Sequence, residues 1–304
     1  MRIKHRYLTS DSHLKIIHPV MKILDKYSHD YKYKENLDCV IPGFKYRIEF
    51  YVYEDNPEFD KIKMELGKYI EPQAVGTEYE KEDIKNAEWF LIYTGEYQYP
   101  QPEDDFGYLK ATFNLENYCD WCGIGKIQRA PYRLKTEPKQ HNSQFWGLHW
   151  DFDAVFVRQE AKNILEREKI KEIRFTNPVL HKKDTPIQDF YQLHIDKILD
   201  KGFDPYNTKT ITCKFNNEEN CNKDKDKVYC GRIKYHHPMI GGYCFDKNIF
   251  DSDYDIVVTN EYFGSGASAD RLRIVSKRFK EIVEKNKLKG VVFTPIVHKR
   301  FKHE

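Results

Sequence analysis

Cys119 and Cys122 stand two residues apart, and Gly123 follows at once. This is the outline of a metal knuckle. A tight turn aims both sulfurs at one centre, and the glycine lets the backbone take φ above zero so that its amides approach the thiolates. A structural zinc site wants four Cys or His ligands. The knuckle therefore demands two more from elsewhere and ties distant segments to one point. Gly125 and Pro131 come next. They suit a ribbon better than the strand-to-helix setting of a redox Cys-x2-Cys, although a redox pair and plain buried thiols remain alternatives.

The other thiols narrow the choice. Cys213, Cys221 and Cys230-Gly231 flank a lysine-rich insertion, Asn222-Lys-Asp-Lys-Asp-Lys227. Cys119, Cys122 and Cys230 with either Cys213 or Cys221 complete one tetrahedral site between two halves of the chain. The preferred set is Cys119, Cys122, Cys213 and Cys230, with structural zinc as the cofactor. Cys221, His236 and His237 stand as substitutes. The opposing reading is that the second half has lost its metal role. Cys39 and Cys244 read as packing thiols. The chain has seven cysteines, and an odd number disfavours a disulfide framework. Met1-Arg-Ile-Lys-His-Arg-Tyr7 lacks the apolar run of a signal peptide, and no stretch reaches the roughly 18 apolar residues of a membrane helix. The expected location is the cytoplasm, with no membrane partner.

Lys and Arg number 50 against 48 Asp and Glu, a formal net charge of +2. A nucleic-acid binder carries a clearer basic excess, so nucleic acid is disfavoured as a partner. The 304 residues suffice for two ordinary domains or one large one, and 22 Tyr with 19 Phe predict an aromatic core.

Along the chain, Pro19 opens a candidate helix with Val20, Leu24 and Tyr27 on one face. Tyr46, Ile48, Phe50 and Val52 alternate as in a half-buried strand. A helix follows Asn56-Pro57, then a strand at 88–93 apolar enough to be central, then a loop at 94–105. After the knuckle, residues 150–157 run as a strand into a helix at 158–168 with Ala161, Ile164 and Leu165 buried. Strands at 169–176 and 189–195 follow.

The chain also repeats itself. Lys162–Thr176 and Lys280–Thr294 share seven of fifteen positions. Upstream, Asp151-Phe-Asp153 matches Asp253-Tyr-Asp255, and Cys122-Gly-Ile-Gly-Lys126 matches Cys230-Gly-Arg-Ile-Lys234. The order agrees in both copies, and the second carries extra residues at 259–271, read as a flexible loop. The Asp pairs would serve acid–base or metal chemistry, yet the commoner role is to hold a turn. His181 and His298, matched after each Phe-Thr strand, would make an anion rim or merely exposed loop ends.

Tyr118-Cys119-x-x-Cys122-Gly-x-Gly125, then Gln128 and Pro131-Tyr132-Arg133, a Trp/Asp run into a helix and a strand ending Phe-x-x-Pro resemble the bacterial double-CXXCG motif family. Cys230-Gly231, Pro238 and Val292-Phe-Thr-Pro295 resemble its second half, so that residues 106–297 are covered. Lys227 stands where the second motif wants its first cysteine. The resemblance implies an immunity protein of a contact-dependent or polymorphic toxin system, which binds and neutralises a cognate protein toxin without catalysis.

The expected architecture is α/β, with α+β as the variant: an N-terminal strand–helix–strand region (1–105), a first Cys-x2-Cys-Gly half (106–200) and a degenerate second half (201–304). The expected function is a zinc-stabilised binding protein. The partner surface is placed on Tyr97, Tyr99 and Tyr108, the insertion 222–228 and the loop 259–271, because tyrosine-rich loops concentrate recognition. The alternatives are a nucleic-acid-associated zinc ribbon and an enzyme using the Asp pairs.

Overall fold

Alternating side chains decide the first unit. The computed structural model describes residues 1–37, 42–97, 105–139, 142–214 and 230–300. Cys39, Tyr99, Cys221, the insertion 222–228 and the side chain of Tyr97 lie outside that description. Helices and several small antiparallel or mixed sheets alternate, and the chain divides into two compact units. One comprises Met1–Asn86 with Pro238–Gly242, and the other Ala87–His237 with Tyr243–Arg300. Among the described residues no helix is long and apolar enough to cross a membrane.

The first unit runs β1 (Arg2–Asp11), α1 (Ile17–Lys26), β2 (Lys32–Lys34), β3 (Tyr46–Tyr53), α2 (Phe59–Leu66), β4 (Ala74–Glu78) and α3 (Lys81–Asn86). Its sheet has the order β2-β3-β1-β4 with antiparallel neighbours, the split βαβ topology. Tyr7, Ile48, Phe50 and Val52 point to one face and meet Val20 and Leu24 of α1 and Ile62 and Leu66 of α2. Period-2 and period-3.6 stripes thus close one core. The expected strand–helix–strand region joined β3 and α2 to the strand at 88–93, but that strand belongs to the second unit, and β1, β2 and β4 complete the first. Helix α1 also begins two residues before Pro19. The proline falls within the first turn, where its missing N–H leaves no intrahelical acceptor unserved.

The second unit opens with β5 (Trp89–Thr94), β6 (Glu96–Tyr97), α4 (Asp105–Thr112), β7 (Phe113–Asn114), β8 (Ile127–Gln128) and β9 (Arg133–Leu134). It continues through β10 (Phe145–Leu148), β11 (Asp151–Arg158), α5 (Gln159–Arg167), β12 (Ile173–Thr176), β13 (Val179–Leu180), β14 (Thr185–Pro186) and β15 (Phe190–Ile195). It ends with β16 (Phe203–Asp204), β17 (Thr210–Thr212), β18 (Ile233–Tyr235), β19 (Cys244–Phe245), β20 (Ile256–Phe263), β21 (Asp270–Ser276), α6 (Lys277–Lys285) and β22 (Val291–Pro295). Two larger sheets dominate, β12-β15-β11-β10-β6 and β17-β18-β20-β21-β5-β22.

Both sheets contain the same connection. A hairpin (β10–β11, β20–β21) leads into a helix (α5, α6), which crosses to a strand one place away (β12, β22). An antiparallel strand fills the gap: β15 from downstream in one sheet, β5 from far upstream in the other. The helix ends match bond for bond. Glu168, Lys169 and Ile170 donate their amides to Ile164, Glu166 and Leu165, and Asn286, Lys287 and Leu288 donate to Ile282, Glu284 and Val283. Lys169 and Lys287 take φ of 52° and 54°, the left-handed turn that closes a helix. Ala161, Ile164 and Leu165 form the buried stripe of α5, as their spacing predicts, and Phe279, Ile282 and Val283 that of α6.

One alignment needs correcting. The strand that runs into α6 is β21, whereas Asp253 and Asp255 precede β20. They do not occupy the place of Asp151 and Asp153, which open β11. Residues 259–271 are mostly β20 and β21, and only 264–269 form a loop. In β21, Leu272 and Ile274 point inward and alternate with Arg271 and Arg273, enough to hold a strand.

Candidate metal centre

Two short hairpins of the second unit carry the cysteines. In the first, β7 pairs with β8 (Phe113↔Gln128, Asn114↔Ile127) and the chain between them holds Cys119 and Cys122. In the second, β17 pairs with β18 (Thr210↔Tyr235, Thr212↔Ile233), with Cys213 just after one strand and Cys230 just before the other. Both tips are closed by the same two bonds. Gly123 N–H donates to Cys119 O at 2.8 Å and Cys119 N–H to Ile124 O at 2.9 Å; Gly231 N–H donates to Cys213 O at 3.0 Å and Cys213 N–H to Arg232 O at 2.8 Å. Gly123 and Gly231 have φ of 79° and 70°. Cys213 is thus held as Cys119 is, despite the long stretch between it and Cys230.

The four sulfurs all lie within 4.8 Å of one another. Cys119 Sγ is 3.8 Å from Cys213 Sγ, and Cys122 Sγ is 3.5 Å from Cys230 Sγ. A tetrahedral zinc with bonds of about 2.3 Å sets its sulfurs about 3.8 Å apart. The cluster is built to those dimensions and can chelate a metal ion. Cys119, Cys122 and Cys213 are buried. Burial resists ionisation of Cys119, but the amides of Cys122 and Trp121 and the neighbouring thiols outweigh it and bring that thiol down to about 7. Burial pushes Cys122 up to about 12 and raises Cys213. A metal resolves this conflict, because it binds thiolates and displaces the protons that cluster together so poorly.

No known protein-family model matches this chain, and no curated protein matches it either.

His236 and His237 do not belong to the sulfur cluster. His237 Nδ1 lies 2.7 Å from Tyr243 Oη, and its ring stacks on Phe263. Cys244 is a buried thiol pushed up to about 11 by desolvation and by Asp204. His181 is engaged by Arg133 through its ring and its carbonyl, and His298 by the carbonyl of Phe245, so neither is a free rim.

Beside the knuckle lies a second polar cluster. Asp151 is buried, and four donors converge on it: Tyr108 Oη, Tyr132 Oη at 2.7 Å, Lys126 Nζ at 3.2 Å and the Asp153 amide at 3.0 Å. Lys126 Nζ also lies 3.1 Å from Asp153. Carboxylate oxygens of Asp151, Asp153 and Asp270 fall within 4.8 Å of one another, so this triad too has the spacing for a cation. The Lys126 ammonium already supplies the positive charge there. Burial works against the Asp151 carboxylate, but Lys126 and the two tyrosine hydroxyls hold its pKa low. A carboxylate with every lone pair engaged is poorly placed as a catalytic base. Asp255 is likewise structural: it accepts from the Lys171 amide, Ser276 Oγ and Arg278 at the start of α6. Asp253 is exposed. Tyr108, expected on the partner surface, is instead buried at 5 % exposure and spends its hydroxyl on Asp151.

Sequence reasoning passed over Lys126, Tyr132, Lys234 and Asp270 as functional positions. The matched Cys-Gly-x-x-Lys of both tips was the available signal for the two lysines.

Two expected results follow from this geometry. A Cβ on Gly123 would strike the carbonyl of Ala267 and press on the Ala269 amide at 2.9 Å, whereas one on Gly231 meets nothing within 4 Å. Both substitutions carry the left-handed strain of about 1–2 kcal/mol. Only Gly123→Ala must also displace backbone. Its melting temperature should fall well below that of Gly231→Ala, with a matching loss of bound metal.

The second concerns pH. Burial, then the charges of Asp153 and Asp151, raise Asp270 to about 7 against the pull of Lys126 and Arg273. A carboxyl with a raised folded pKa binds more protons folded than unfolded, so stability falls as pH rises between the two values. The loss should run from about pH 4, the ordinary carboxylate value, to about 7. Asp270→Asn should flatten that slope in urea titrations at successive pH values and gain stability over the wild type above pH 7.

Proposed function

We propose that this chain is a non-catalytic, cytoplasmic binding protein whose second unit is pinned by one structural zinc ion on Cys119, Cys122, Cys213 and Cys230. The observation that carries the reading is the buried set of four sulfurs at tetrahedral spacing on the tips of two hairpins. Closed four-thiolate sites are structural, because catalytic zinc keeps a position open for water or substrate. The engaged state of Asp151 and Asp255 points the same way.

The two hairpin–knuckle and helix–strand sets are, in this reading, copies of one ancestral unit, the second with its knuckle loop lengthened between Cys213 and Cys230. The equal closing bonds of the tips and of the α5 and α6 ends support that history. The resemblance to the double-CXXCG motif family supports the finer assignment, an immunity protein that neutralises a cognate toxin through its surface.

Metal analysis tests the first part. Protein purified under reducing conditions should carry about one zinc per chain, and Cys119→Ser should carry little. Wild-type protein without metal, refolding unchanged in a chelator, would refute it. The toxin assignment is tested by co-expression with a candidate toxin encoded next to this gene. Survival that requires this protein but no turnover supports it, and killing undiminished by well-folded protein sinks it.

A further inference from the structure

Lys234, in the second hairpin, is fully buried at 2 % exposure. Its Nζ lies 2.9 Å from the carbonyl of Cys122, 2.6 Å from that of Gly266 and 2.7 Å from that of Ser268. Three carbonyl acceptors require three N–H bonds, and a neutral amine has two. The group is therefore an ammonium. Among the described residues no carboxylate lies within 4.0 Å of it. Its counterpart at the first tip, Lys126, stands at the same place four residues after a cysteine and faces Asp151 and Asp153. The two matched lysines thus differ: Lys126 is half-buried and has carboxylate partners, whereas Lys234 is buried and, among the described residues, has only carbonyl partners.

A buried charge without an opposite charge is among the costliest features a fold can hold. Here the opposite charge is close by. Burial lowers the Lys234 pKa, and the nearby sulfurs of Cys122 and Cys213, then Asp270 and Cys119, act in the opposite direction. Four thiolates around a divalent metal carry a net charge of −2. Arg232, also from the second tip, donates to the carbonyls of Ile124 and Asn117 at 3.0 and 2.7 Å, but it remains partly open to water. Lys234 is the desolvated cation. The carbonyls it grips also join the knuckle to the loop between β20 and β21.

We propose that Lys234 is the built-in counter-charge of the four-cysteine centre, and that it makes the loop 264–269 part of the metal-dependent structure. The inference rests on the reading of the four cysteines as a metal centre. It assigns Lys234 a positioning role, because the side chain touches the Cys122 backbone and not the metal.

Zinc affinity measured by competition with a chromophoric chelator, with zinc alone as the probe, tests the charge. Lys234→Met keeps an unbranched side chain one atom shorter and removes the charge. It should weaken zinc binding at least tenfold, and its loss of thermal stability should be greater with zinc than without. A second change tests the same point: Cys230→His lowers the negative charge of the centre by one, so Lys234→Met should cost less in that background. A lysine that only tethers the loop would destabilise zinc-bound and zinc-free protein alike and leave the affinity unchanged. That result overturns the proposal. Hydrogen exchange of the wild type, which needs no variant, tests the loop. Chelation should open the amides of 264–269 together with those of 122–126, and unchanged protection of 264–269 would overturn the proposal even if Lys234→Met fails to fold. A wild type that binds no zinc at all refutes the metal reading itself, and the titration shows this before any variant is made.

Discussion

Chelating the metal from the purified protein, or replacing Cys213 by Ser, is expected to unfold the second unit at temperatures where the wild type stands. The two hairpins are short: β7–β8 joins two residue pairs and β17–β18 three. Isolated two-stranded hairpins are marginal in water. Their tips are joined by the sulfur cluster with its small apolar surround of Ile124 and Ala269, backed by Trp121 and Tyr262, and by the bonds of Arg232 and Lys234 to carbonyls of the first tip. Structural zinc contributes about 10 kcal/mol or more in small peptides, as much as the whole stability of many domains. The thermal midpoint should therefore drop by about 20 °C or more. Calorimetry before and after chelation, with zinc added back, measures it. A Cys244→Ser control, away from the cluster, should lose far less. Equal melting with and without metal would mean that the sulfurs merely pack.

The second large effect is expected at Asp151. Asp151→Asn leaves Lys126 with a weakened partner in a buried site and asks the hydroxyls of Tyr108 and Tyr132 to donate to an amide that can itself only half accept. Breaking one side of a buried pair costs about 3–5 kcal/mol. Asp253→Asn, on an exposed side chain, should change stability by about 0.5 kcal/mol or less. Urea denaturation of the two variants separates them. An equal, small effect at both positions would return Asp151 to the status of a surface turn residue. The contrast matters because the sequence presents the two pairs as equals.

That false equivalence shows where the sequence was legible and where it was not. Strongly periodic elements could be read directly: α5 from Ala161, Ile164 and Leu165, β3 from Ile48, Phe50 and Val52, and β5 from its unbroken apolar run. In β1 the inward series is Ile3, His5, Tyr7. A histidine in that series, held by Glu54 at 2.9 Å, hides the alternation. At 259–271 the Gly264-Ser-Gly-Ala-Ser run reads as a loop and masks the strand ends on either side of it. At the metal centre, residue types and spacing named Cys119, Cys122 and Cys230 because sulfur chemistry is local. The choice between Cys213 and Cys221 depended on which strand ends meet, and that is set by the pairing of β17 with β18. The aspartate–lysine–tyrosine cluster was out of reach for the same reason. Its members come from four separate stretches, and only the tertiary fold assembles them.

The two gap-filling strands have unequal histories as the chain is made. On a ribosome, β15 emerges shortly after β11 and β12 and can slot between them at once. β5 emerges early, yet its partners start only at Ile274 and Val291. During most of synthesis Trp89-Phe-Leu-Ile-Tyr93 is an apolar ribbon with both edges unpaired, the kind of segment that seeks other chains. Any cellular factor that shelters the nascent chain should be needed most in that interval. Truncation before β22 should give aggregates that nucleate at β5, whereas loss of the N-terminal residues up to β5 should leave the sheet around β15 able to form.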